Sequence, residues 1–192
     1  MKKKILALGI AMILLMSIFP VQSIAVEISD AETQKYGEYE TFKDLYDAYF
    51  EAVENGDVEK QIQLEEIAER TLQQEIEEAN NTISLIRPRV DPEAEYYKAM
   101  FPTYFYSGYW EMRDSGICLT LNRKSILVGG TSESINNAWI ATYFKFSNSS
   151  NWQNTSMMEK QFYCHARLAW SVIESEWNLE PWKTSMNVIT CN

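Results

Sequence analysis

His165 is the single histidine of the 192-residue chain, so any histidine-assisted chemistry near neutral pH must pass through it. Glu180 is the candidate partner for orienting it, with Glu176 as a second carboxylate within reach in sequence. A nucleophile is harder to find. Serines and threonines are plentiful, but no G-x-S-x-G elbow is present, and a Cys118 nucleophile would have to take His165 as its base. Cys118 sits in an alternating stretch with Ile117, Leu119 and Leu121, where a buried inert thiol is the plainer expectation. Glu174, Glu176 and Glu180 cluster in the manner of paired acids, yet they carry no sugar-binding signature beyond neighbouring tryptophans. His165 is equally suited to a structural role, hydrogen-bonded in the core.

Tryptophan supplies the second chemical signal. Trp177 and Trp182 flank the segment Trp177-Asn178-Leu179-Glu180-Pro181-Trp182, which reads as a turn, and Trp152 lies in an Asn/Ser-rich loop. Large rings with one polar edge suit glycan stacking, membrane interfaces and protein contacts. Trp177, Asn178, Trp182 and Lys183 are therefore the candidate binding residues, set against a plainer role for both tryptophans as caps on a small core.

These residues need elements to position them, and composition bounds what those elements are. Hydrophobic residues make up 46% of the chain, enough for one real core. A net charge of -10 argues against nucleic acid, because phosphate recognition needs a basic surface. With one histidine and three cysteines lacking a C-x-x-C pair, the common zinc sites have no ligand set, and neither metal nor cofactor is expected. Lys2, Lys3 and Lys4 precede an apolar run from Ile5 to Phe19, broken by Pro20 and followed by Ser23-Ile24-Ala25. This reads as a signal peptide over residues 1–25. The run is too short to span a bilayer, so the expectation is a secreted chain without a membrane span, in which disulfides are permitted.

Charge divides the rest of the chain. Residues 26–100 hold 20 acidic side chains against seven basic ones, whereas residues 101–192 hold seven of each. All six tryptophans and all three cysteines lie in the second half. The join falls at Arg87-Pro88-Arg89-Val90-Asp91-Pro92, giving an acidic helical segment over 26–90 and a C-terminal domain over 91–192. In the acidic part, Thr41 with Asp44 marks a helix start, Asn55-Gly56-Asp57 a turn, and Ile62, Ile67, Leu72, Ile76, Ala79, Ile83 and Ile86 a thin apolar stripe. A helical hairpin with so thin a stripe needs a partner: the other half, a second copy, or none. Downstream, Tyr104–Met112 and Ile117–Leu121 predict a β-hairpin, Ser125–Val128 a third strand and Met186–Thr190 a last strand. Helices are predicted over about Ser132–Phe146 and Ser156–Ile173. The fold class is α+β, a small antiparallel sheet with packed helices, preceded by the acidic hairpin.

Several blocks of the second half together carry a family pattern. They are Ser107–Gly116, Met158–Ala166 with its Cys164-His165 pair, Trp177–Trp182, and the terminal Cys191-Asn192. They resemble a family of secreted bacterial domains of unknown function, over about Phe105 to Asn192. The resemblance implies a Cys164–Cys191 bridge, which on loop entropy would contribute roughly 3.5 kcal/mol. It also implies a secreted setting, and it brings no activity. One departure is Lys183, where the family carries an arginine; a role needing a bidentate guanidinium is in doubt at that position.

Three functions fit. The first is a bacteriocin-like antagonist of competitor cell envelopes whose acidic segment is a removable pro-region. The second is an extracellular module binding cell-wall components or glycans, and the third is a small hydrolase built on His165. The layout of basic-apolar N-terminus, acidic segment and compact C-terminal module favours the first, and an enzyme is the less expected outcome.

Overall fold

The computed structural model describes residues 35–86, 92–170 and 175–192. Residues 1–34, which include the signal peptide expected over 1–25, residues 87–91 of the expected linker, and residues 171–174 with Ile173 and Glu174 lie outside the described residues.

Helix α1 (Phe42–Glu54) begins at the expected cap. Asp44 donates its backbone N–H to Thr41 Oγ1 at 3.2 Å, and the Asp44 carboxylate accepts the Thr41 N–H at 3.0 Å, a reciprocal capping box. The chain reverses through Gly56, at φ +68, and Asp57 accepts the Lys60 N–H at 3.0 Å to start α2 (Val58–Ile86). The buried stripe of α2 is Leu64, Ala68, Leu72, Ile76 and Ala79. This differs from the expected stripe, since Ile62 is exposed. The reason is that α2 packs on α1 and on later helices of the chain, and the seam between them selects the face.

Pro92 opens α3 (Pro92–Tyr104), where its missing N–H costs no hydrogen bond. Strands β1 (Phe105–Arg113) and β2 (Gly116–Arg123) form the expected hairpin, in register Trp110↔Leu119 and Arg113↔Gly116. Ser125–Leu127 is a single 3-10 turn rather than a strand. The edge of β2 that it would have joined is taken by β3 (Glu176–Leu179), paired Leu119↔Leu179 and Leu121↔Trp177. The first part of the segment that reads as a turn, Trp177–Leu179, therefore belongs to the third strand, while Pro181 and Trp182 do form a turn, and the sheet order is β1-β2-β3. Helix α4 (Ser132–Phe146) has the expected bounds with Thr131 as its cap, and α5 (Thr155–Arg167) starts at Asn154 and ends earlier than expected, giving way to a 3-10 turn over Leu168–Trp170. Met186–Thr190 is not a strand. The Asn187 carboxamide oxygen accepts the N–H groups of Ile189 and Thr190 at 2.9 and 3.0 Å, offering the backbone a local alternative to a sheet partner.

Cys164 on α5 is bonded to Cys191, with their Cα atoms 5.7 Å apart. Inward residues of the sheet, Phe105, Leu119, Leu121, Trp177 and Leu179, pack with Met158 and Phe162 of α5 in one core. That same core contains Phe42, Leu45, Leu64 and Leu72 of the acidic helices. Each such leucine, fully buried, contributes roughly 2 kcal/mol. The hairpin thus has its partner in the C-terminal half, and charge fastens what apolar packing begins. Arg167 Nε meets Glu75 at 2.7 Å and Nη1 donates to the Ala68 carbonyl at 3.0 Å; Lys160 meets Glu69 at 2.6 Å.

Candidate functional site: the outer sheet face

A pleated strand sends alternate side chains to opposite faces. With Leu119, Leu121, Trp177 and Leu179 turned inward, the outer face receives Cys118, Thr120 and Asn122 from β2, Ser107, Tyr109 and Glu111 from β1, and Glu176 and Asn178 from β3. These side chains are wired across all three strands. Arg113 donates from Nε and Nη2 to Glu111 at 3.1 and 3.0 Å, and from Nη2 to Glu176 at 2.7 Å. Thr120 donates to Asn178 Oδ1 at 2.9 Å, and Asn122 donates to Ser107 Oγ at 2.8 Å. The Arg113, Glu111 and Glu176 side chains remain 37%, 42% and 39% exposed. Exposed ion pairs of this kind contribute about 0–1 kcal/mol each, so stability alone does not account for the cluster. What it offers is fixed, mixed donors and acceptors beside the half-exposed ring of Tyr109.

At the turn end of the β1–β2 hairpin a second group adjoins this face. The Trp182 indole lies over Gly116, where a Cβ would come within 2.9 Å of Nε1. Ser115 donates to Glu180 Oε1 at 3.4 Å, and Glu180 Oε2 pairs with Lys183 at 2.5 Å. Lys183 Nζ also stands 5.9 Å from the Trp182 ring. Gln161 holds this block to α5 with both ends of its amide, donating to the Glu180 carbonyl at 3.1 Å and accepting the Glu180 N–H at 2.7 Å. Asn154 adds a bond from Nδ2 to the Lys183 carbonyl at 2.8 Å. Lys183 acts here as a point charge in a short pair.

The candidate residues accordingly separate. Asn178, Trp182 and Lys183 are presented on or beside the outer face. Trp177 is not; it is fully buried, edge-on to Phe162 at 5.2 Å and stacked on His165 at 6.1 Å with 12° between planes. His165 is 7% exposed. The carboxylates expected to orient it are engaged elsewhere, Glu180 by Lys183 and Ser115, and Glu176 by Arg113. Glu174 lies outside the described residues. Cys118 is a buried free thiol, 3.7 Å from Thr120 Oγ1 on the outer face, across the sheet from the Trp177–His165 stack. The structure therefore does not bring Cys118 and His165 together. Among the described residues there is no cluster of histidine, cysteine and carboxylates able to hold a metal ion.

Sequence reasoning missed Glu111, Arg113, Thr120 and Glu176 as one group. Their signal was the alternation of β1 and β2, but their convergence depends on β3, which the prolyl and tryptophan-rich composition disguised as a turn.

No helix among the described residues is long and apolar enough to cross a membrane. Residues 107–191 match the family model described as "Protein of unknown function (DUF2599)". The matched span holds almost all of β1, the rest of the sheet, helices α4 and α5 and the disulfide, and it leaves α1, α2 and α3 outside. No curated protein and no solved structure matches the chain.

Proposed function

We propose, for a chain whose sheet and disulfide lie within a family of unknown function, that it is an extracellular binding module whose outer sheet face recognises hydroxyl-rich glycan of a bacterial cell envelope. The observation that carries this reading is the half-exposed network of Glu111, Arg113, Glu176 and Asn178, braced from beneath by the buried Thr120 and flanked by Tyr109 and Trp182. Polyols are recognised by planar bidentate groups and by aromatic faces that cover apolar sugar C–H surfaces. The disulfide supports an oxidising setting, in keeping with the basic, apolar and small-residue pattern of the first 25 residues.

Binding is favoured over hydrolysis because His165 is buried against Trp177 and its expected carboxylate partners are occupied. It is also favoured over a released bacteriocin-like antagonist. Removing the acidic segment would strip Leu45, Leu64 and Leu72 from the shared core and break the Glu75–Arg167 pair.

The test is co-sedimentation of the purified full chain with insoluble peptidoglycan. The reading expects saturable retention, reduced about tenfold or more in an Arg113→Ala/Asn178→Ala/Trp182→Ala variant whose unfolding midpoint stays within a few degrees of the parent. Equal retention of the variant would refute the assignment of the face. Clearance of the glycan suspension, lost in a folded His165→Ala variant, would instead establish the hydrolase.

A further inference from the structure

On the side of the molecule where the acidic hairpin meets the matched region, α2, α4 and α5 enclose a groove of about 230 Å³ lined by Asn80, Trp139, Tyr143, Phe144, Thr155 and Glu159. Asn80 and Glu159 also border a polar cavity lined by Glu77 and Lys160.

Glu159 is the unusual member. Burial pushes its carboxyl above the ordinary range, and the side chains that hydrogen-bond it, Asn80 and Trp139, are neutral donors. Glu75, in the same seam, shows the opposite behaviour. It is also largely buried, but Arg167 and Lys35 pair with it at 2.7 and 2.8 Å, and they hold its carboxyl below the ordinary range in spite of that burial. Lys160, adjacent to Glu159 in sequence, is drawn to Glu69 at 2.6 Å. Glu159 thus keeps a carboxyl in a costly place without a cationic partner among the described residues. Beside it stand three aromatic side chains, with Trp139 and Tyr143 at 6.5 Å and Tyr143 and Phe144 at 5.4 Å between ring centroids.

A carboxylate beside aromatic faces is the chemistry that recognises alkylammonium groups, since the ring faces are negative and the acid supplies the counter-charge. A neutral sugar would leave the charge of Glu159 uncompensated, and an anion would be repelled by both Glu159 and Glu77. We propose that this groove binds an organic ammonium group, with Glu159 as its counter-charge and Trp139, Tyr143 and Phe144 as its walls. The groove is separate from the outer sheet face, and the proposal is independent of the glycan reading.

The test uses the full chain and two probes of nearly equal shape, choline and its uncharged isostere 3,3-dimethylbutan-1-ol, titrated by calorimetry and by tryptophan emission. Choline should bind saturably and at least about tenfold more tightly than the neutral alcohol. Glu159→Gln, which keeps an acceptor for Asn80 and Trp139, should erase that preference while leaving the circular dichroism unchanged. Equal binding of the two probes, absence of saturation by choline, or a preference that survives in Glu159→Gln would each overturn the proposal. The comparison of probes on the unaltered chain decides the matter even where the variant folds poorly.

Discussion

Arg167→Met is the most informative single perturbation of this fold, because Arg167 is more deeply buried than Lys160, the other cation paired between the acidic helices and the sheet-bearing half. Its side chain is 6% exposed. It meets Glu75 at 2.7 Å, donates to the Ala68 carbonyl at 3.0 Å, and lies 5.0 Å from the Phe42 ring. Methionine retains an apolar stem over Phe42 and removes only the guanidinium. Removing one member of a buried pair costs about 3–5 kcal/mol, mostly from the charge left behind. Glu75 would keep Lys35 at 2.8 Å and the Tyr36 hydroxyl at 3.2 Å, and it is 21% exposed. These partial compensations place the expected loss near the lower end, about 3 kcal/mol. The assay is urea denaturation followed by tryptophan emission, which reports the second half, alongside amide exchange in α1 and α2. Stability should fall by that amount, with faster exchange in both helices, and Glu75→Gln added to Arg167→Met should restore about half of it or more. A loss below about 1 kcal/mol, or a double variant less stable than Arg167→Met alone, would show that the pair does not join the two halves.

Other consequences are as direct. Replacing Cys164 and Cys191 by alanine opens a loop with a sequence separation of 27 and should lower stability by roughly 3.5 kcal/mol, seen as a shared fall in the urea midpoints of both halves. Gly116→Ala places a Cβ against the Trp182 indole at a φ of +134; it should cost about 1 kcal/mol or more and shift Trp182 emission towards that of a water-exposed indole. Burial alone would raise the Glu75 carboxyl, but Arg167 and Lys35 outweigh it and the folded-state pKa is lowered. Its stabilisation is therefore complete above the unfolded carboxylate range and is lost as pH falls through the lowered value. Glu75→Gln should flatten the acid side of the stability–pH profile while lowering the plateau at neutral pH.

The elements governed by local chemistry were legible in the sequence. The Thr41–Asp44 box, the Gly56 turn and the β1–β2 hairpin each depend on residues close together in sequence. The disulfide was legible through resemblance. What the sequence concealed depends on distant partners. β3 is four residues long and borrows its strand character from the edge of β2, while Met186–Thr190 has strand-like residues whose backbone is turned locally by Asn187. The buried face of α2 was legible from Leu72 through Ile76 to Ala79 and misread only at its start, where Leu64 and Ala68 rather than Ile62 turn inward towards the shared core. The site behaved in the same way. Asn178, Trp182 and Lys183 were singled out for their residue types, but the Arg113 bridge between Glu111 and Glu176 exists only once three strands are side by side.

The long-range fastening of α2 also sets an order of events while the chain is being made. The bonds from Lys160 to Glu69 and from Arg167 to Glu75 and Ala68 join residues 91, 92 and 99 apart in sequence. At about 5–20 residues per second, the acidic helices wait roughly 5–20 s for the segment that buries their leucines. During that interval they have little beyond each other to pack on, and helices of this length are marginal alone. Their dense negative charge then has a second use, keeping an unfinished, apolar-striped hairpin soluble and apart from its neighbours until α5 arrives.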